Sequence, residues 1–293
     1  MKRKDALVFL TLSAIWGSSF MFIKLGLEGG LTPLTLVAIR LGLGALVMAA
    51  LVRRQGLRFP RGKELLLALA FLGFINNAVP FTLITWGEQY ISSGLTAILN
   101  STVPLFAVVL SHRFLADERL NRRRVAGVML GFLGVLLLFA PDLVNTMATV
   151  RDRLAGQLAI ILASAGYAMG SVFTRRRLQG VPAAVLAAAQ LGFAFLWMVV
   201  PAIVWEQPWR LRPDGMAWFA VVWLGVLGSG VAYFLFFLLI KAIGATPTTM
   251  VTYVIPLFAV VFGLVVLREP LHWSYGAAMG LIFAGVWLAN RRG

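Results

Sequence analysis

Cysteine is absent from all 293 residues. That removes disulfides, thiol nucleophiles and thiolate metal ligands, and with them any redox clue to compartment. Histidine occurs only at His112 and His272, with no H-E-x-x-H and no Ser/His/Asp grouping, and no G-x-x-x-x-G-K-[ST] loop is present. The chain therefore shows no zinc, hydrolase or phosphate-cradling machinery, calls for no cofactor or metal, and is not expected to be an enzyme or, alone, an ATP-driven pump. Charge is scarce too. Charged residues make up 13%, about half the usual share of a soluble domain. Only 11 acidic residues face 26 basic ones, for a net charge of +15. The excess does not form a nucleic-acid face, because the basic residues sit in short gaps between apolar runs, the pattern of membrane loops.

What fills the chain is hydrocarbon: 60% hydrophobic residues and a mean hydropathy of +0.88. A spanning helix needs roughly 20 mostly apolar residues. Charge-free runs of sufficient length cover 6–23, 65–87, 89–112, 125–140, 154–174, 178–205, 216–240, 242–267 and 270–290. A tenth, about 31–52, is broken only by Arg40. The opening MKRKDALVFLTLSAIWGSS has the basic and apolar regions of a signal peptide. Removing it would leave one half of the chain a helix short, so it is read as a retained span. With both termini cytoplasmic, 19 Lys and Arg fall on the inner side and six outside, Arg40 apart. The positive-inside rule then predicts a multi-pass inner (plasma) membrane protein with N- and C-termini in the cytoplasm.

The run PLFAVV occurs at 104–109 and again at 256–261. At nearly the same shift Glu118 recurs as Glu269, Gly134 as Gly285, and the RLG beginning at Arg40 as the QLG beginning at Gln190, while Trp16 and Phe22 face Tyr167 and Phe173. The expected halves are 1–148 and 149–293. Five helices are an odd number, so the second half enters the membrane from the opposite side. The fold class is an all-α integral membrane protein of ten transmembrane helices in two inverted five-helix repeats. Such repeats are a common construction of secondary transporters, with the substrate near the midplane.

The stretch WGEQYISSGLTAILNSTVPLFAVVLSHRFLADERLNRRRVAGVMLGFLGVLLL and its later counterpart FLLIKAIGATPTTMVTYVIPLFAVVFGLVVLREPLHWSYGAAMGLIFAGVWLA resemble the repeat of EamA-type transporters in the drug/metabolite transporter superfamily. The shared features are a Pro-bearing helix, a loop Glu and a Gly-rich last helix. The resemblance covers nearly the whole chain. It implies export of amino acids or related small metabolites, aromatic amino acids among them.

Arg40 is the sole charge well inside a span, where it costs at least about 2.5–3.5 kcal/mol. It is either a cavity cation for a substrate carboxylate or a structural Arg bonded to carbonyls. Asn76 and Asn77, with mates Gly228 and Ser229, and Asn100 and Ser101, with mates Thr252 and Tyr253, are deep polar groups that either line a shared cavity or join helices. Gln190 enters as the mate of Arg40. Trp16, Tyr167, Tyr233 and Tyr253 lie near mid-span, either stacking on substrate or packing the core. Pro104 and Pro256 are hinges or static bends. Glu118 and Glu269 precede helices and stabilise structure or gates. Gly127, Gly131 and Gly134, with Gly276, Gly280 and Gly285, read as close helix contacts or a dimer face, leaving monomer and homodimer both open. No carboxylate lies mid-span, Glu28 and Glu88 near the outer ends being the nearest. The expectation is therefore a uniporter or facilitated exporter; the alternatives are a proton-coupled efflux carrier and, further off, a channel or membrane enzyme. The expected partners are a small-molecule substrate and the bilayer.

Overall fold

Within hydrocarbon every backbone N–H and C=O must find its partner inside the segment, which for a chain of apolar runs means helices. The computed structural model describes residues 3–115, 121–139, 147–244 and 248–290, and these contain helices and turns but no strand. We number the helices α1 (Arg3–Glu28) and α2 (Pro33–Arg54); α3 (Lys63–Gly87) and α4 (Ser93–Phe114); α5 (Arg122–Phe139) and α6 (Met147–Arg177); α7 (Ala183–Glu206) and α8 (Gly215–Ile243); and α9 (Val251–Val265) and α10 (Trp273–Asn290). Seven are long and apolar enough to cross a bilayer, and α9 and α10 are shorter apolar helices. Glu118 lies outside the described residues.

Local chemistry sets the ends. Pro33, which has no N–H to leave unpaired, opens α2. Ser92 caps α4 by accepting from Leu95 N at 3.2 Å, and Asp214 caps α8 by accepting from Ala217 N at 2.7 Å. The caps start α4 and α8 a few residues inside or at the edge of the apolar runs.

The packing repeats under exchange of halves. Helix α1 lies against α9, and its counterpart α6 against α4; α2 lies against α8, and α7 against α3; α2 meets its own mate α7, and α5 meets α10. Both α3 and α8 widen into π-helical turns at corresponding places, Phe74–Ala78 and Trp223–Val231. Such widened turns expose backbone groups and are frequent at functional sites. Helix α4 breaks at Ser101–Thr102 and resumes with Pro104 in its new first turn, whereas Pro256 stands inside α9. Leucines such as Leu46, Leu67, Leu136 and Leu162 stay exposed around the outside, together with Trp205, Trp209 and Trp273, which suits a lipid-facing girdle with aromatic rims.

The glycine-rich helices α5 and α10 cross at backbone contact. A Cβ on Gly127 would lie 2.5 Å from Ala289 N and Gly285 O, and one on Gly285 would lie 2.5 Å from Gly127 O and Gly131 N. These glycines serve a contact within the chain, whereas Gly276 and Gly280 face open space. We expect Gly127→Leu or Gly285→Leu to destabilise the protein by at least about 1–3 kcal/mol through overpacking, while Gly280→Ala is neutral, as measured by unfolding in detergent.

Candidate functional site

Between the halves, at mid-span, the chain gathers one charge, several amides and four aromatic rings. Arg40 on α2 is buried. Its Nε donates to Ser229 Oγ on α8 at 3.1 Å, and its Cζ lies 4.1 Å from the ring centre of Phe81 on α3. A second bond across the halves runs between Asn76 on α3 and Gln190 on α7, Nδ2 to Oε1 at 3.1 Å. Under the repeat, Gln190 is the mate of Arg40, and the asparagine pair Asn76–Asn77 is the mate of Gly228–Ser229. Arg40 and its mate Gln190 thus each bond across the halves to neighbouring repeat positions, the exact mate of Ser229 being Asn77, with a guanidinium donating in one case and an amide oxygen accepting in the other.

The aromatic groups follow the same rule. Trp16 on α1 meets Tyr233 on α8 edge-on at 6.3 Å, and Tyr167 on α6 meets Phe81 on α3 at 6.4 Å. Trp16 corresponds to Tyr167, and Phe81 to Tyr233. Trp16 Nε1 donates to Gly228 O at 3.1 Å, a carbonyl within the π-helical stretch of α8. Asn77 Nδ2 donates to the Tyr233 hydroxyl at 3.5 Å, while Asn77 Oδ1 is buried with no partner among the described residues. Among the described residues Arg40 has a single side-chain hydrogen bond, through Nε. The paired amino groups of its fork remain available, beside a cation–π face and a tyrosine-rich wall, for a planar anion.

Trp16, Arg40, Asn76, Asn77, Tyr167, Gln190 and Tyr233 therefore come together. Among the described residues, Asn100, Ser101 and Thr252 of α4 and α9 make their hydrogen bonds elsewhere. Asn100 Oδ1 accepts from Ser164 Oγ at 3.5 Å, and Ser101 Oγ donates to Ile98 O within its own turn. Thr252 Oγ1 donates to Thr249 O, and Tyr253 packs edge-on against Phe283 of α10. Sequence reasoning names Ser229 only as the repeat mate of Asn77 and does not reach Phe81. Projecting Tyr233 back through the repeat would have indicated Phe81.

The face opposite the termini is latched across the halves. Glu206, ending α7, accepts from Leu34 N at 3.0 Å, Thr35 N at 2.7 Å and Thr35 Oγ1 at 2.9 Å, and also from the Thr32 hydroxyl, so it caps α2 of the other half. Glu269 precedes α10, yet its carboxylate reaches the start of α4, accepting from Ser93 N and Ser93 Oγ, both at 2.8 Å, and from Gly94 N at 3.3 Å. Asp214 N donates to Gly29 O at 2.9 Å beside them. Each latch carboxylate adjoins a left-handed residue that is not glycine, Gln207 at φ 49° and Arg268 at φ 54°. Such backbone costs about 1–3 kcal/mol and persists where surrounding contacts over-determine it.

Two copies of one family model, the EamA-like transporter family, match residues 3–140 and 154–291. The chain belongs to the EamA-like transporter family. Its relatives include the Bacillus subtilis (strain 168) "Uncharacterized transporter YoaV", 24% identical over 97% of this chain and 96% of that protein. The Escherichia coli (strain K12) "Uncharacterized inner membrane transporter YedA" is 30% identical over 94% of this chain and 87% of its own. A solved structure described as "Crystal structure of protein" superposes at a TM-score of 0.69 over 99% of this chain and 97% of its own, at 22% identity, a likeness of fold. This EamA-family chain is accordingly a multi-pass membrane transporter of two repeats.

In this EamA-family protein the Glu206 latch is open to direct test. Hydrogen bonds to a charged group contribute about 1.5–3 kcal/mol each to stability when buried. Glu206→Gln should lower the midpoint of thermal unfolding in detergent by about 5 °C, with the exposed Glu28→Gln as an unaffected control.

Proposed function

We propose that this transporter exports small zwitterionic metabolites, amino acids with aromatic or apolar side chains foremost, by alternating access between its halves and without carrying protons. The observation that carries this reading is Arg40: a buried guanidinium between the halves, its fork without a hydrogen bond among the described residues, bounded by Phe81 and near the rings of Tyr167, Tyr233 and Trp16. A substrate carboxylate would take the fork, the amides and the Tyr233 hydroxyl suit an ammonium or other polar edge, and the rings suit an apolar side chain. The chain's own symmetry supports the switch. Because the two halves make equivalent helix contacts, a rocked state exchanging their roles would be near in energy to this one. The basic loops support a cytoplasmic placement of both termini in the inner membrane, which puts the latched face outside.

The test is counterflow in proteoliposomes, in which unlabelled aromatic amino acid should accelerate uptake of the labelled one. Arg40→Gln and Arg40→Lys should each reduce exchange about 10–100-fold with folding retained, because an ammonium cannot reproduce the bidentate fork. Exchange unaltered by both substitutions would remove Arg40 from the substrate path. Exchange absent for every metabolite tried in the parent protein would count against the carrier reading itself.

A further inference from the structure

Just past the end of α3, beside the latched face, Glu88 is fully buried and, among the described residues, neither of its carboxylate oxygens has a hydrogen-bond partner. Thr85, three residues earlier in the last turn of α3, carries a hydroxyl equally buried and, among the described residues, unpartnered. The nearest cation does not answer the carboxylate. Lys24 of α1 donates its Nζ instead to two backbone carbonyls, Glu88 O at 2.6 Å and Ile91 O at 3.2 Å. An ionised carboxylate stripped of water and of donors is untenable by several kcal/mol, whereas a neutral carboxylic acid is not, and its O–H can turn to a neighbouring oxygen.

We propose that Glu88 is a proton-binding site that operates the gate on this face: it takes a proton from the solvent on this side as the Glu269 and Glu206 latches close and returns it to the same solvent when they open. The proposal deepens the carrier reading, on which the word gate depends. One O–H bond forms on closing and breaks on opening, and the proton enters and leaves from one side, so no net proton crosses the membrane.

The charged groups facing Glu88 from the surrounding elements are Lys24 on α1, Arg40 on α2 and Glu269 before α10. On α6, whose Gly156 backbone packs on Gly87, the adjacent Gln157 is neutral, and Arg151, Asp152 and Arg153 precede it towards the helix end. Burial holds the Glu88 carboxyl well above the usual carboxylate range; Lys24 pulls it down, Glu269 pushes it up and Arg40 pulls it down. A carboxyl raised in the closed state and hydrated in the open one binds its proton more tightly when closed. Rising pH therefore opens the gate: between the midpoint of the hydrated, open-state carboxyl and the higher midpoint of the closed-state one, each pH unit lowers the closed-to-open ratio about tenfold.

The native chain has no cysteine, so spin labels can be placed at Tyr90→Cys and Leu271→Cys, both on exposed positions of this face, and their separation followed against pH in lipid nanodiscs without substrate. The expected result is a short distance at low pH giving way to a longer one as pH rises, with Glu88→Gln holding the short distance throughout. A distance independent of pH in the parent, or an unchanged pH response in Glu88→Gln, overturns the proposal. Should Glu88→Gln not fold, Glu88→Asp serves: a displaced midpoint supports the assignment and an identical one overturns it. Since this measurement uses no substrate, a failed counterflow assay with an intact pH response would sink the carrier reading and not the proton site.

Discussion

A guanidinium placed in the middle of a bilayer has to be answered from somewhere, and in this protein its hydrogen-bond partner comes from the opposite half of the chain and the ring beneath it from its own. Arg40 reaches Ser229 and rests on Phe81. That single requirement brings α2, α3 and α8 to one point and gives the interface between repeats a polar centre. Desolvation makes the arrangement costly unless the partners are held in place. The surrounding bonds from Trp16 to Gly228, Asn77 to Tyr233 and Asn76 to Gln190 also cross between halves. A mid-membrane contact surface made of such bonds is directional, so it aligns the two repeats where oily packing alone would let them slide.

Symmetry then explains what is shared and difference explains what is specific. The two aromatic pairs and the two widened helices are copies of one design. Arg40 opposite Gln190 is where the copies part. A pseudo-symmetric centre with its charge on one side only is polarised, its two sides presenting different partners. At the face away from the termini, Glu206 and Glu269 each satisfy the unpaired N–H groups of a helix in the other repeat. Helix starts present concentrated donors, and a carboxylate there is bound more firmly than on an ordinary surface. The left-handed Gln207 and Arg268 beside them are the local backbone cost of bringing those carboxylates into reach.

The glycines show how one pattern can hold two meanings. Gly127, Gly134 and Gly285 allow α5 and α10 to touch backbone to backbone, while Gly276 and Gly280, at similar spacing on α10, have nothing within contact distance. Spacing reports that a close approach is possible. Only the placement of the neighbouring helix says which face uses it.

The amino-acid sequence by itself determined the membrane-spanning helices, the repeat and much of the central cluster, because these depend on quantities local to the chain: the length of apolar runs, and rare polar or aromatic residues recurring at one shift. Trp16, Arg40, Asn76, Asn77, Tyr167, Gln190 and Tyr233 were all visible in this way. The tertiary structure alone decided that Asn100, Ser101, Thr252 and Tyr253 point their bonds and rings to their own turns or neighbouring helices, that Glu269 serves α4 and not the helix it precedes, and that Glu88, near a span end where water is to be expected, is sealed from it. The direction of a side chain around a helix and the company it meets depend on how helices far apart in the chain are rotated against one another. No window of sequence contains that rotation, because it is set by the summed fit of all ten.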